Sequence, residues 1–447
     1  MKLANHRVFA GIGALVLFSG VLAAVCAAQN SAGTGFHIKA DRLQGTLEKL
    51  SEFGRNPEGG VTRLGYSDEQ LSARKYVAGL MEQAGLTVRV DAVGNLFGRR
   101  EGTEKLPVLL FGSHIDSVVK GGNFDGDVGA LGAIEVMRAL NEAGVKTRHP
   151  LEAVVWENEE GNHFGVGTLG SGIAAGLIGP EVLERKDEKG LTLADWLRKY
   201  EQDPARLAEA RIAKGALAAY VELHIEQGPN LDAAKIPIGV VQGIVGLRRW
   251  KCVATGFANH AGTTPMDRRR DALATAARDL LAVRDVVRSE SGRQVGTVGY
   301  MKVEPGAVNV IAGRVEFPVE LRDLENQKIE RMWSKVQAAM KVIDKEENVS
   351  TECTPTDDVH AARTDVQVQG AIRAAAKSLG LTTMDLPSGA VQDAQQMAKL
   401  APMGMIFVPS RDGISHSPKE FTTWADVGNG AELLYRTVVG LDGELNH

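Results

Sequence analysis

The sequence predicts an α/β protein with a mostly parallel sheet, helices on both faces, and a smaller inserted α+β domain. Three short apolar runs carry the first part of this prediction, because each ends abruptly at a polar loop. Such runs are typical of parallel strands that are buried on both faces. They are Pro107–Gly112 (PVLLFG), Leu151–Trp156 (LEAVVW) and Ala219–Ile225 (AYVELHI).

A helix is predicted between the first two of these runs. Apolar side chains recur there at three-residue steps, at Val128, Leu131, Ile134 and Met137, and Gly144 follows where a helix would stop. Strands that alternate with helices indicate βαβ units, and these build parallel sheets.

The pattern changes near residue 246, where apolar and polar residues begin to alternate as in half-exposed strands. Pro318 in the third of these strands predicts a sheet edge or a bulge. The order βαββαβ predicts an inserted lid or dimerisation domain over residues 246–354, within a catalytic domain formed by residues 29–245 and 355–447. The predicted strands are Arg248–Gly256, Val298–Val303 and Val315–Leu321, and the predicted helices are Asp271–Arg288 and Asn326–Lys345.

Composition excludes several classes of protein. The 447 residues are 44% hydrophobic and 24% charged, which suits two or three folded domains and excludes disorder throughout. Three cysteines are too few for a disulfide-built scaffold. A net charge of −5 offers no basic surface for nucleic acid.

Residues 1–28 are predicted to be a signal peptide. Lys2 and Arg7 precede an apolar stretch from Val8 to Val25, and Ala28 supplies a small residue for cleavage. We therefore expect export to the periplasm or secretion, with an uncleaved N-terminal membrane anchor as the alternative. Cys252 and Cys353 would remain in the mature chain, either paired or as unpaired core thiols.

Clusters of metal-type ligands follow the predicted strands. Ligands bind beyond the carboxyl ends of strands in an open α/β sheet, and imidazole with carboxylate suits zinc or a similar divalent cation. Taken singly, each cluster has an ordinary explanation as a surface loop or a hydrogen-bonded pair. The clusters are Ser113–Ser117, Gly121–Gly126, Glu157–Gly161, His224–Gly228 and Gly413–Pro418.

The motifs GSHIDS, GGNFDGDVG, NEEG, HIEQGP, NHAGTTPMDRRRDAL, VNVI, ELRD, LPSGA and GISHSPKE run from about residue 45 to the C-terminus. Together they resemble the di-zinc amidohydrolases related to aminoacylase and carboxypeptidase G. Within that superfamily the chain is most similar to the carbamoylase branch, which contains N-carbamoyl-L-amino-acid hydrolase, beta-ureidopropionase and allantoate amidohydrolase.

The resemblance implies a role for each residue of a two-metal site. Asp125 would bridge the two ions, with His114 and His224 completing one site and Glu160 and His416 the other. Asp116 would orient the imidazole of His114. Glu159 would be the general base that takes a proton from the bridging water. Zinc is the expected metal, with manganese, cobalt or nickel as alternatives.

The resemblance also implies how the substrate is held. His260 would stabilise the oxyanion from the other subunit of a homodimer that forms through the inserted domain. Arg322, with Asn309, would bind the substrate carboxylate, and Gln227 would contact the ureido group. Without the resemblance, Arg322 would instead be interpreted as a strand-end salt bridge to Asp323 or Glu320.

The predicted function is hydrolysis of a linear C–N amide bond in a small ureido or amide substrate that carries a carboxylate, first of all N-carbamoyl-L-amino acids. Allantoate hydrolysis, an exported aminoacylase or dipeptidase, and a non-catalytic metal-binding or ligand-binding relative remain as alternatives. A non-catalytic relative should have lost Glu159 or a ligand, and all six residues are present. One departure concerns Gln392, which stands where the branch usually has histidine and cannot titrate near neutral pH.

Overall fold

The computed structural model describes residues 37–445. The predicted signal peptide and the alternative membrane anchor lie outside these residues. Among the residues described, no helix is long and apolar enough to cross a lipid bilayer.

Fourteen strands and eleven α-helices make up the described part of the chain. The strands are β1 Thr87–Val90, β2 Leu96–Arg100, β3 Val108–His114, β4 Leu151–Trp156, β5 Leu217–Ile225, β6 Ile238–Ile244, β7 Gly246–Thr255, β8 Val295–Thr297, β9 Lys302–Glu304, β10 Arg314–Asp323, β11 Ser350–Val359, β12 Ala362–Arg363, β13 Thr383–Ser388 and β14 Met403–Val408. The helices are α1 Ala40–Leu50, α2 Asp68–Gln83, α3 Asp127–Glu142, α4 Leu169–Ala174, α5 Leu193–Lys199, α6 Asn230–Ala234, α7 Ala272–Ser289, α8 Asn326–Glu347, α9 Val366–Ser378, α10 Asp393–Met397 and α11 Trp424–Glu444.

The larger sheet has nine strands in the order β1-β2-β4-β3-β5-β14-β6-β12, with β13 paired to β6. Its centre is parallel, because β3 pairs in parallel with β4 and β5, and β14 pairs in parallel with β5. Antiparallel pairs occur toward the edges, between β1 and β2 and between β2 and β4. The predicted mostly parallel sheet is thus confirmed.

Helices cover both faces of this sheet, which explains why its central strands are apolar without alternation. Leu109 and Phe111 of β3 pack into a core with α1, α3, α9 and α11, while Leu110 packs into a second core on the opposite face. Leu151 and Trp156 of β4 divide between the two cores in the same way. Successive side chains of a strand point to opposite faces, so both sets must be apolar.

The smaller sheet is antiparallel and has five strands in the order β11-β7-β10-β8, with β9 paired to β10. Its strands lie between Gly246 and Val359. Helices α7 and α8 supply the apolar side chains that pack with the sheet in a separate core. A disulfide joins Cys252 of β7 to Cys353 of β11, which are direct partners across the two strands.

Two details of this sheet differ from the prediction. The strand predicted at Val298–Val303 is mostly absent, because β8 ends at Thr297 and β9 begins only at Lys302. Two short strands therefore flank this segment, and the order is βαβββαβ. Pro318 was expected at an edge or bulge, but β10 is an interior strand. The pairing of β10 explains both differences. On one side of β10, β9 pairs with residues 314–316 and β8 pairs with residues 320–322. Pro318, which has no N–H to donate, lies between those paired segments.

Arg63 joins three segments of the chain, which contain Leu50, Ile115 and Asp127. Its Nη2 donates to both carboxylate oxygens of Asp127 at 2.8 Å, at the start of α3. Its Nε donates to the carbonyl oxygen of Ile115 at 2.6 Å, and its Nη1 donates to the carbonyl oxygen of Leu50 at 3.1 Å. Arg63 is only 1% exposed, and burial raises the pKa of Asp127 to about 6 in spite of the arginine.

We predict that Arg63→Met lowers the free energy of unfolding by roughly 3–5 kcal/mol, because it leaves Asp127 buried without its partner. Urea denaturation of the purified protein measures the change. Arg55→Met is the matched control, since Arg55 is exposed and its side chain makes one hydrogen bond within residues 37–445, from Nε to the carbonyl oxygen of Ser51 at 3.4 Å. Equal stability of the two variants would contradict the prediction.

Candidate metal centre

Four side chains, those of His114, His224, His416 and Glu160, lie around the carboxylate of Asp125. His114 and His224 approach its Oδ1 through Nε2, at 3.5 Å and 3.1 Å. His416 Nε2 lies 3.3 Å from its Oδ2 and 3.4 Å from Glu160 Oε1. Two groups of three potential ligands therefore share Asp125, and the ligand atoms within each group lie within 4.8 Å of one another. The structure thus brings together all five predicted ligands.

The parallel strands explain why residues so far apart in sequence meet here. His114 is the last residue of β3 and His224 is near the end of β5, and these neighbouring strands end at the same edge of the sheet. Asp125 comes just before α3, where Gly126 has φ of 66°. A Cβ at Gly126 would lie 2.5 Å from the His114 imidazole, so only glycine fits.

Backbone carbonyls hold two of the imidazoles in an orientation that suits metal binding. His114 Nδ1 lies 3.0 Å from the carbonyl oxygen of Asp116, and His224 Nδ1 lies 2.9 Å from that of Ile225. If Nδ1 carries the proton and donates to the carbonyl, Nε2 keeps its lone pair and faces Asp125.

The carboxylate of Asp116 contacts mainly the loop that carries Glu159 and Glu160. Its Oδ1 accepts from the Glu159 N–H and its Oδ2 from the Glu160 N–H, both at 3.0 Å. The distance from its Oδ1 to His114 Nδ1 is longer, at 3.6 Å. Asp116 therefore fixes the position of both glutamates, whereas its backbone carbonyl contacts the imidazole.

The centre contains several carboxylates, and their negative charge is not compensated as long as its imidazoles are neutral. Burial raises the pKa of Glu159 well above its ordinary value, and burial with Asp125 raises that of Glu160 to about 8. The hydrogen bond to Asp125 raises the pKa of His416 to about 9. Without a cation, protons must supply the compensating charge. A set of nitrogen and oxygen donors with excess negative charge fits divalent metal ions, whose binding would displace these protons.

Glu420 is a residue of this site that sequence reasoning did not single out. Its Oε1 accepts from the N–H groups of Phe124 and Asp125 at 2.9 Å and 3.0 Å. Its Oε2 accepts from Ser415 Oγ at 2.8 Å and from the His416 N–H at 3.3 Å. Glu420 thus connects the two loops that carry Asp125 and His416. The available signal was its place at the end of the GISHSPKE motif.

A cavity of about 440 Å³ opens beside the ligands. Glu159, Gln227 and Gln392 line it from the larger sheet, and Arg322 lines it from the smaller one. Arg322 Nε donates to Glu320 Oε1 at 2.7 Å, and its Nη1 donates to the carbonyl oxygen of Gly389 at 2.9 Å. Arg322 therefore forms the ordinary salt bridge to Glu320 and also lines the cavity.

His260 and Asn309 do not line this cavity. Both are exposed, and they are neighbours, since the Ala261 N–H donates to the carbonyl oxygen of Asn309 at 2.9 Å. His260 Nδ1 accepts from the N–H groups of Gly262 and Thr263. Within one chain, the structure therefore leaves these two predicted site residues outside the cavity.

Comparison with known proteins agrees with this architecture. The model of Peptidase family M20/M25/M40 matches residues 110–439. An N-carbamoyl-L-amino acid amidohydrolase from Geobacillus stearothermophilus is 45% identical over 402 residues, which are 90% of this chain and 98% of that protein. An allantoate amidohydrolase from Bacillus subtilis is 34% identical over 399 residues, 87% of this chain and 96% of that protein. The crystal structure of a hydantoinase/carbamoylase family amidase from Burkholderia multivorans has a TM-score of 0.86 and 36% identity, and covers 92% of this chain and 99% of its own.

The predicted export to the periplasm, or secretion, is wrong in the light of these relatives. The Geobacillus protein is matched over 98% of its length, so about 2% remains outside the match. That remainder is too short for a counterpart of the 28-residue leader on which the prediction of export depended.

We predict that Glu420→Gln weakens divalent metal binding by about 10- to 100-fold. The amide NH₂ would then face an N–H group from which the carboxylate now accepts a hydrogen bond, and one connection between the two loops would be lost. Titration of the metal-free protein with zinc against a competing chelator measures the affinity. Glu188→Gln, an exposed residue, is the control. An unchanged affinity in Glu420→Gln would show that the two loops hold their positions without it.

Proposed function

Because the chain belongs to peptidase family M20/M25/M40, we propose that it is a metal-dependent hydrolase that cleaves the carbamoyl group from N-carbamoyl-L-amino acids or related ureido acids. The observation that carries this proposal is the pair of ligand groups sharing Asp125 at a cavity lined by both Glu159 and Arg322. The cavity thus offers a hydrolytic centre and a cation for the substrate carboxylate.

Two divalent ions are proposed because each ligand group supplies three donors and Asp125 belongs to both. Zinc is the first choice for donors made of imidazole and carboxylate, with manganese, cobalt or nickel as alternatives. His114, His224 and Asp125 would hold one ion, and Asp125, Glu160 and His416 the other. Such ions lower the pKa of bound water from about 15.7 to roughly 7 and polarise the carbonyl that is attacked.

Glu159 is proposed as the general base. Its carboxylate lines the cavity and lies 4.0 Å from His114 Nε2. No N–H or O–H group in residues 37–445 donates a hydrogen bond to the carboxylate oxygens of Glu159, so these oxygens are open to a proton from water. Asp116 holds the backbone of Glu159 in place. Glu159 would take a proton from the attacking water and pass it to the nitrogen that leaves.

Arg322 is proposed to bind the substrate carboxylate. A guanidinium group has five N–H donors in a planar fork, and Nε and Nη1 of Arg322 each make one intramolecular hydrogen bond. Its remaining N–H groups are available to a ligand in the cavity. Because Arg322 belongs to the smaller sheet and the metal ligands to the larger, a bound substrate would contact both parts of the chain.

A homodimer would supply the two residues that one chain leaves outside the cavity. His260 and Asn309 are exposed beside apolar side chains that are also exposed, namely Phe257 at 61%, Met266 at 77% and Val308 at 103%. Apolar surface of this kind commonly marks an interface. We propose that this segment reaches the partner subunit's cavity, where His260 stabilises the oxyanion and Asn309 assists the carboxylate site.

Allantoate hydrolysis is the second candidate, and the Bacillus subtilis relative favours it. Allantoate presents a ureido group and a carboxylate, so the same Arg322 and the same ligand groups would serve. Comparing turnover of N-carbamoyl-L-amino acids and allantoate by the purified enzyme decides between the two substrates.

We predict that Glu159→Gln retains its metal while turnover of the best substrate falls by about 10²- to 10⁴-fold, because the amide cannot accept a proton. Elemental analysis of the metal and steady-state kinetics on N-carbamoyl-L-amino acids measure the two effects. Glu58→Gln, an exposed residue, is the control. Full turnover in Glu159→Gln would exclude this residue as the base.

A mixing experiment tests whether His260 acts across subunits. We predict that Glu159→Gln and His260→Ala are each nearly inactive, but that a refolded equimolar mixture recovers about a quarter of wild-type activity. In a C2 dimer, half of the molecules would be heterodimers, each with one site that has both intact residues. Subunits mixed without exchange are the control. No recovery after verified exchange contradicts action across subunits.

A further inference from the structure

Two glutamine side chains connect Asp125 to the wall of the cavity. Gln227 Nε2 donates to Asp125 Oδ2 at 2.7 Å, and Gln392 Nε2 donates to Gln227 Oε1 at 2.9 Å. Gln392 is 1% exposed and lines the cavity, as Gln227 does. The two amides therefore form a chain of hydrogen bonds that starts at the Asp125 carboxylate and ends at the substrate cavity.

The charge of Asp125 fixes which way both amides point. An ionised carboxylate can only accept hydrogen bonds, so Gln227 must present its NH₂ group to Asp125 and its oxygen to Gln392. Gln392 must then turn its own NH₂ group toward Gln227. Its Oε1 is left as an acceptor that faces the cavity and has no hydrogen-bond partner among residues 37–445.

The backbone keeps both side chains in place. The Gln227 N–H donates to Ser410 Oγ at 3.0 Å, and Gln227 has a left-handed φ of 58°. Gln392 directly precedes α10, whose first turn is anchored where the Ala394 N–H donates to Glu222 Oε2 at 2.9 Å. The orientation of the Gln392 oxygen is thus determined before a substrate enters.

We propose that Gln392 Oε1 accepts a hydrogen bond from the terminal NH₂ group of the substrate and thereby selects ureido acids over acyl amino acids. This inference rests on the proposed function. A carbamoyl NH₂ and an acetyl CH₃ are nearly the same size, but only the NH₂ can donate to this acceptor. Gln227 uses one N–H group and its amide oxygen in this chain of hydrogen bonds and thereby orients Gln392.

The test compares N-carbamoyl and N-acetyl derivatives of the same L-amino acid. We expect the wild type to prefer the carbamoyl substrate, and Gln392→Leu to reduce the ratio of the two kcat/KM values by roughly 10- to 100-fold. Because both substrates are assayed on one preparation, losses of metal or of folded protein cancel in the ratio. A merely structural role for Gln392 would lower both kcat/KM values and leave their ratio unchanged.

Gln396→Leu is the matched comparison, since Gln396 lines the same cavity and donates to Thr168 Oγ1 at 3.0 Å. A shift of the ratio in Gln396→Leu but not in Gln392→Leu overturns the inference. Equal losses on both substrates in Gln392→Leu also overturn it while the proposed function stands. A wild type that cleaves neither substrate overturns the proposed function, and the inference with it.

Gln392→His gives a second, independent readout. A neutral histidine can donate to Gln227 and keep one nitrogen as an acceptor, whereas a protonated histidine has only donors. We expect the ratio to stay near the wild-type value at pH 8 and to fall as the pH drops through about 6.5. The wild-type ratio should not change over this range, because glutamine does not titrate. A pH-independent ratio in Gln392→His contradicts the inference.

Discussion

The carboxylate of Asp125 is the group on which the site depends. Its Oδ1 lies against His114 and His224, and its Oδ2 against His416, Gln227 and Ser415. The backbone N–H of Asp125 donates to Glu420, which in turn accepts a hydrogen bond from the His416 N–H. One side chain therefore connects the ends of β3 and β5, the start of α3 and the segment between β14 and α11, which are separated by up to three hundred residues.

That arrangement has an electrostatic cost that the protein alone does not remove. Asp116, Asp125, Glu159 and Glu420 are all buried near one another, and such groups are stable together only when positive charge or hydrogen-bond donors compensate them. Backbone N–H groups satisfy Asp116 and Glu420, while the imidazoles meet Asp125. Burial nevertheless raises the pKa of Glu420 to about 7, that of Glu160 to about 8 and that of Glu159 well above its ordinary value. Of these three, Glu159 and Glu160 line the cavity, where a divalent ion or a transferred proton would neutralise them. The proposed chemistry thus uses two buried acids whose charge the polypeptide does not fully compensate.

How far the sequence could predict this site follows from where each residue lies. His114 ends β3 and His224 lies one residue before the end of β5, so their convergence with Asp125 is a consequence of sheet geometry that a motif at a strand end can reveal. Glu420 and the actual contacts of Asp116 could not be predicted, because they depend on loop conformations with no periodic pattern. The break between β8 and β9 was missed for a similar reason, since residues 298–301 keep a strand-like composition without pairing. The exposure of His260 depends on how the 256–270 loop packs, which local sequence does not specify.

The hydrogen bond from Arg322 Nη1 to the carbonyl oxygen of Gly389 bears on the length of substrate that the cavity can bind. Gly389 lies three residues before Gln392. Arg322, proposed to bind the substrate carboxylate, is therefore hydrogen-bonded to the segment that carries Gln392, proposed to bind the ureido NH₂ group. The spacing between the two contacts is then a property of one short stretch of backbone. An α-ureido acid and a β-ureido acid differ by one carbon between ureido nitrogen and carboxylate, and a fixed spacing suits one length better than the other. Under the proposed binding mode, substrate length would thus be selected by the position of residues 389–392 relative to Arg322, independently of the side chain that the amino acid carries.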